Sequence, residues 1–265
     1  MLYFPQLANG AGGQFPIKRR AVRRTLVNTC VDGTTVKLAD AGASSVEWEL
    51  GLTGLTVEEW GRLAALFAAV EGRRAGFTFL DPTDNLLVWS EDLSQAAWVK
   101  EAGVELTPGM ADPLGTARAT RIANTGGTTL TLRQTLAAPG GYQYCFSLWA
   151  RSAAAGDLWL FRSSGAGTVR KEFRTLRAWS RLVHSSKIQD ASETVSFGLE
   201  VNAGQTAEVF GLQVEAQPGA SMYKKTASRG GVYAEAFFQD DVLTLTSEGA
   251  GENSGIVRVR ARVQG

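Results

Sequence analysis

From Asn85 to about Thr226 nearly every apolar stretch is short, alternates with polar residues and is bounded by Gly, Pro, Asn or Ser. Such punctuation excludes long helices and calls for paired strands. The candidates are Arg118 to Ile122, Thr128 to Thr135, Tyr142 to Arg151, Leu158 to Arg162, Thr168 to Thr175, Ala178 to Ser186, Thr194 to Val201 and Ala207 to Glu215. Strands at this spacing imply a two-sheet sandwich or jelly roll. The only helical signal is a short turn near Asp92 to Trp98. Five of the seven tryptophans, Trp89, Trp98, Trp149, Trp159 and Trp179, fall in this stretch, which gives it the aromatic inventory for a core of its own.

The flanking segments read differently. Leu26 to Val31 and Thr34 to Leu38 surround Asp32-Gly33, a dipeptide that tolerates the positive φ angles of a two-residue hairpin turn. Val46, Trp48 and Leu50 then alternate with Glu47 and Glu49, as a strand with one buried face requires. Thr56 stands three residues before Glu59, the spacing of a capping box, and Trp60, Leu63, Ala64, Phe67 and Val70 continue at helical spacing, predicting a helix from about Val57 to Glu71. A short strand, Gly76 to Leu80, runs into Asp81-Pro82. Past Ala227, strands are expected at Val242 to Thr246 and Ile256 to Val263, with Val257, Val259, Ala261 and Val263 on one face. A lone hairpin is only marginally stable, and the first segment is itself short of strands. One α+β domain over residues 1–84 and 227–265, interrupted by a β-sandwich over 85–226, is therefore expected, and the fold class is mainly β.

Chemistry is sparse. Among 265 residues there is one histidine, His184, in the alternating run Arg181-Leu182-Val183-His184-Ser185, where it reads as a structural strand residue. With two distant cysteines, Cys30 and Cys145, a zinc cage is excluded and the thiols read as small buried hydrophobes. No cofactor or metal is expected. A glycosidase needs only two carboxylates, and Glu91, Asp92, Glu101, Asp157, Glu172 and Glu200 are available, but nothing in the sequence pairs them. Gly10-Ala11-Gly12-Gly13 lacks the Lys-Ser/Thr of a phosphate loop. The reading is a non-enzyme.

Lys plus Arg number 27 against 26 Asp plus Glu, so no global field favours nucleic acid or an acidic membrane. No apolar run approaches the ~18 residues of a bilayer span, and a secretory leader pattern is missing, so synthesis and retention in the cytoplasm until assembly or release are expected. The one basic cluster, Lys18-Arg19-Arg20 with Arg23-Arg24, reads as a solvated or subunit-contacting strand, with neither aromatic partners nor a recognition helix for nucleic acid. Arg258, Arg260 and Arg262 line one face of the last strand, where like charges two residues apart repel unless anions answer them. Solvent exposure and pairing with carboxylates of a neighbouring subunit both fit; the second makes Arg19, Arg20, Arg23, Arg24, Arg258, Arg260 and Arg262 candidate interface residues. Trp149 and Trp159, inside apolar strands, read as core. Trp89 and Trp98, beside the short turn, are divided between core and stacking on a sugar ring.

Two stretches carry a resemblance. Phe4-Pro5, Arg24-Thr25, Trp48, Gly54-Leu55-Thr56, Glu59-Trp60, Leu66-Phe67, Glu71-Gly72-Arg73 and Phe77-Thr78-Phe79-Leu80-Asp81-Pro82 together resemble distal tail or tail-tip proteins of tailed phages and gene-transfer particles. Asn85-Leu86-Leu87, Ser90-Glu91-Asp92-Leu93, Trp98, Pro113-Leu114-Gly115-Thr116-Ala117, Val209 to Glu215 and Ser221-Met222-Tyr223 resemble the carbohydrate-binding-type jelly roll common in phage structural proteins. The usual Ile-Pro-Thr near that module's end is Lys224-Lys225-Thr226 here. The resemblance implies a virion tail component, assembled in the host cytoplasm, whose belt domain forms a ring with itself, commonly a hexamer. Implied partners are the tail tube, the tail hub and the baseplate, with the peripheral sandwich turned to baseplate parts or a host-surface glycan. A glycan-binding adhesion protein is the alternative, and a tail-associated glycan hydrolase is a third.

Overall fold

The computed structural model describes residues 1–263. In chain order the first elements are β1 (Ile17–Thr29), β2 (Thr35–Leu55), α1 (Val57–Ala69) and β3 (Phe77–Leu80). They are followed by β4 (Val99–Lys100), β5 (Val104–Met110), β6 (Ala119–Asn124), β7 (Leu130–Leu136), β8 (Tyr144–Arg151), β9 (Gly156–Ser164) and β10 (Gly167–Thr175). The last are β11 (Ser180–Ser186), β12 (Val195–Val201), β13 (Thr206–Glu215), β14 (Val232–Phe238), β15 (Thr246–Gly249) and β16 (Glu252–Arg262).

The chain divides into two compact units, one of Met1–Ala8, Gly13–Phe79 and the chain from Tyr233 on, the other of Asn9–Gly12 and Leu80–Val232. Residues 9–12, 80–84 and 227–232, expected in the first domain, group with the second unit. The cause is local pairing: Asp81 N–H donates to Gly231 O at 2.8 Å and Gly231 N–H to Asn85 O at 2.7 Å. At Gly230 a Cβ would meet Leu86 O at 2.4 Å, so only glycine lets these passes of the chain approach.

The first unit is an antiparallel sheet in the order β1-β2-β16-β14-β3, with β15 paired to β16. Trp48, Leu50, Val257, Val259 and Ala261 alternate onto one face, where Leu63, Leu66 and Val70 from α1 join them in a single core. The capping box forms as expected: Glu59 N–H donates to Thr56 Oγ1 at 3.2 Å and Thr56 N–H to Glu59 Oε2 at 2.9 Å. Burying each of these Leu or Val side chains contributes roughly 2 kcal/mol, which holds a helix of only 13 residues in place. The hairpin turn differs from expectation. Gly33 N–H donates to Cys30 O and Cys30 N–H to Thr34 O, so Val31, Asp32 and Gly33 form a three-residue loop with only Gly33, at φ +83°, in the left-handed region. Cys30 is consequently exposed, against the expectation of burial, whereas Cys145 is buried; both thiols are free. None of the expected strands corresponds to β14, although Gly230-Gly231 mark its start, while the strand expected at Val242 begins only at Thr246.

Pairing between β16 and β2 ends at Arg262 and Ser45, but β1 and β2 continue to pair from Arg24 with Asp40 to Thr29 with Thr35. The result is a two-stranded arm without a third strand. Leu26, Val27, Val31, Val36 and Leu38 are exposed on it.

The second unit is a jelly-roll sandwich of two antiparallel sheets, β10-β9-β12-β7-β4 and β11-β8-β13-β6-β5. Between them lies a core that includes Tyr144, Phe146, Leu148, Leu158, Leu160, Phe197, Leu199 and Leu212. All eight expected strands form. Strands β4 and β5 come in addition to them: the first has two residues, and the second is broken in register between Thr107 and Met110, where Pro108-Gly109 interrupts the ladder. Asp92 to Trp98 is a set of turns rather than a helix.

Candidate functional site

Strand parity decides which tryptophans a ligand could reach. In β9, Leu158 and Leu160 face the core, so Trp159 and Phe161 project from the outer face of the sheet β10-β9-β12-β7-β4. In β8, Phe146, Leu148 and Ala150 face inward, so Trp149 projects from the other sheet. Neither indole belongs to the core, which corrects the core reading of both. The reverse correction applies to Trp98: it is 4% exposed, packs in the sandwich core and donates from Nε1 to Trp89 O at 3.0 Å. Trp89, at φ +52°, is half-buried against the same core. Trp98 therefore presents no stacking face, and Trp89 is held as its partner rather than as a free platform.

On the outer face of its sheet Trp159 is half-buried. Trp159 lies in register between Glu172 on β10 and Glu200 on β12, about 10 Å apart across two strand spacings. Among the described residues its indole Nε1–H finds no hydrogen-bond partner, and Glu172 and Arg133 carry no ion pair. Glu200 is fixed by Arg170, whose Nε donates to Oε1 at 2.7 Å. Phe161 is pressed flat onto β12: a Cβ at Gly198 would meet its Cζ at 2.6 Å, so that glycine makes room for the ring. Hydroxyl pairs complete the surface, Thr135 with Ser196 at 2.7 Å and Thr168 with Ser163 at 2.9 Å. Phe161 is only 4% exposed, so Trp159, edged by donors and acceptors, is the ring that suits the amphipathic face of a sugar.

The opposite outer face is covered by the chain itself. Tyr223 packs edge-on against Trp149 and Phe210 with centroids at 5.9 and 5.4 Å. Its hydroxyl reaches Ser90 Oγ at 2.8 Å and donates to Glu91 at 3.1 Å, and burial raises its pKa above the ordinary phenol value. Arg181 stacks on Trp149 at 4.7 Å and Arg118 on Phe210 at 5.3 Å. His184 is buried; desolvation, with Lys171 and Arg162 nearby, lowers its pKa despite a hydrogen bond with the Val169 backbone.

The seven candidate interface arginines lie in the first unit. Strand β2 runs between β1 and β16 with Glu49 flanked in register by Lys18 and Arg258, and Glu47 by Arg20 and Arg260. The contacts are 2.7 Å for Lys18, 3.0 Å for Arg258, 2.9 Å for Arg20 and 3.9 Å for Arg260. Hydrogen bonds from Lys18 and Arg258 hold the Glu49 carboxyl below its ordinary range. The like-charge repulsion expected along β16 is thus answered within the chain at Arg258 and Arg260. Arg24 pairs with Asp40, and Arg19 donates to Tyr233 Oη at 3.3 Å. Arg23, at the register shift of β1, and Arg262 have no partner among the described residues.

Among the described residues no group of His, Cys, Asp and Glu could hold a metal ion, and no helix is long and apolar enough to cross a membrane. No protein-family model matches the chain, and no curated protein matches its sequence. Solved structures are similar in architecture. The enzymatically active domain of tailspike protein 4 from bacteriophage CBA120 is 11% identical with a TM-score of 0.41, and the match covers 52% of this chain and 22% of that one, so it spans about a fifth of the tailspike domain. TmCBM61, solved with β-1,4-galactotriose, is 15% identical with a TM-score of 0.40, covering 49% and 97%. The family 11 carbohydrate-binding module of Clostridium thermocellum, solved with a mixed-linked tetrasaccharide, is 13% identical with a TM-score of 0.40, covering 52% and 98%. At such scores the likenesses assign neither ligand nor activity to this chain.

Proposed function

We propose that the chain is a non-catalytic glycan-binding protein of the adhesion type, in which the open face of the sandwich engages a sugar chain. One observation carries the reading: Trp159 stands half-exposed on a sheet face, its Nε1–H unengaged by any described residue, between Glu172 and Glu200. The indole face takes the C–H side of a pyranose, and the flanking carboxylates and hydroxyls accept from its O–H groups. A glycan array followed by calorimetry tests this. Binding of at least one polysaccharide class, lost in Trp159→Ala with the fold intact, is expected; absence of binding across the array, or binding indifferent to that substitution, rejects it. Turnover of a bound glycan, abolished by Glu172→Gln or Glu200→Gln, would instead favour the hydrolase.

A second reading, a structural tail-tip component, is favoured by the arm of the first unit. A two-stranded ribbon is marginal in water by itself, and this one exposes Leu26, Val36 and Leu38 on one face. Packing in a ring or against tail tube, hub or baseplate proteins would cover it, and the sandwich would then face the host. Both readings combine in one virion protein. Locating the chain, or failing to, in the density of purified particles tests the tail assignment.

A further inference from the structure

Three of the five tryptophans of the second unit, Trp149, Trp159 and Trp179, stand outside its core. Two of them carry a guanidinium of the chain over the ring, Arg181 over Trp149 at 4.7 Å and Arg151 over Trp179 at 4.8 Å. Trp159 has no such cation among the described residues. The strands beside the indoles differ in charge as well. Trp149 lies in register between Arg181 on β11 and Phe210 on β13. Trp159 lies between two carboxylates, Glu172 on β10 and Glu200 on β12, each one strand spacing of about 5 Å away.

Those two carboxylates are not equivalent. Arg170 holds Glu200, its Nε donating to Oε1 at 2.7 Å, while Glu172 is exposed and has no ion pair among the described residues. In the adjoining row Arg174 faces Asp157 in register, so that row is balanced in charge. Arg133 stands on β7, two strands from Trp159 and on the far side of β12. The surface beside the indole therefore offers the negative face of a π system and one unanswered negative charge. Both repel a uronate or a sulfate, a neutral ring leaves Glu172 without a counter-charge, and both attract an ammonium.

We infer that the glycan carried on Trp159 is cationic, an amino sugar with its nitrogen unacetylated, whose ammonium pairs with Glu172. An equatorial amino group lies in the plane of the pyranose, so a ring stacked on the indole holds that group at its edge, within reach of the neighbouring strand. The inference rests on the glycan-binding reading of this face and adds to it the charge of the ligand.

Calorimetry of the full chain with three β-1,4-linked tetramers tests it: glucosamine, N-acetylglucosamine and glucose, which differ only in the substituent at C2. The glucosamine tetramer should bind at least ~10-fold more tightly than the other two. Its advantage should shrink between about 50 and 500 mM salt as the charges are screened. The chain as a whole has a net charge of +1 and does not attract a polycation, so the preference reports the site. Glu172→Gln should erase most of the advantage, and Arg170→Gln, which releases Glu200, should enlarge it. Equal affinity for the three tetramers, binding of none of them while another glycan binds, or a preference that Glu172→Gln leaves intact overturns the inference and leaves the glycan-binding reading standing. Absence of binding to every glycan tried overturns both.

Discussion

Trp149 and Trp159 occupy equivalent positions on the two faces of the sandwich: each follows a core-facing leucine and each points away from the core. Their surroundings differ in one respect. The segment carrying Tyr223 returns across the Trp149 face, anchors its hydroxyl on Ser90 and Glu91, and turns the indole into a wall. Among the described residues no aromatic ring stacks on Trp159, and Arg170, one strand over, pairs with Glu200. The same residue type is thus structural where the chain covers it and available where it does not.

Breaking the covered face should have the largest effect. Tyr223→Ala removes the aromatic bridge and is expected to lower stability by about 3 kcal/mol in denaturant unfolding, with glycan affinity unchanged for the folded fraction. Tyr223→Phe, which loses only the hydroxyl contacts, should cost about 1 kcal/mol. A smaller effect is expected at Gly198, where a Cβ would meet Leu132 O at 2.4 Å and displace Phe161. Gly198→Ala should cost about 2 kcal/mol and also weaken glycan binding, since it tilts the floor of the open face.

Trp159→Ala inverts that pattern. Stability should change by less than about 1 kcal/mol, while affinity for the glycan falls at least ~10-fold. If instead Trp159→Ala unfolds the protein and Tyr223→Ala does not, the distinction between wall and platform is wrong. The smallest effect concerns His184, which closes the edge between the two sheets. Its pKa is lowered on folding, so the unfolded chain binds the proton more readily. Stability supplied by the neutral imidazole is present above about pH 6.5, the unfolded value, and declines as the pH falls below it through the lowered folded value. A melting series across that window should show the decline, and His184→Phe should flatten it.

Much of this architecture is legible in the order of the amino acids alone. The capping box at Thr56, the alternation around Trp48 and the eight sandwich strands follow from spacing, because each is a local property of the chain. What escapes is non-local. The shifted boundaries at 79 and 233 depend on pairing between residues some 150 positions apart, such as Asp81 with Gly231, and although Gly230-Gly231 mark the start of β14, its place in the sheet beside β16 is set by distant partners too. The two indoles read as core are a different kind of miss. Parity in Leu158-Trp159-Leu160 already sets the indole opposite the leucines, but an unbroken run of apolar residues hides that period. Trp98 is the converse, buried because a turn without periodicity folds it under the sandwich.

The position of β16 in the first sheet, between β2 and β14, also orders events in time. The sandwich is complete in sequence at Val232 and is free to fold while the remaining strands are still being synthesised. The first unit has no such liberty. Its β2 waits with Glu47 and Glu49 unanswered on one side until residues 252–262 leave the ribosome, some 200 positions after it was made. Residues 252–262 complete the first sheet, so the first unit closes only after the whole sandwich has been made.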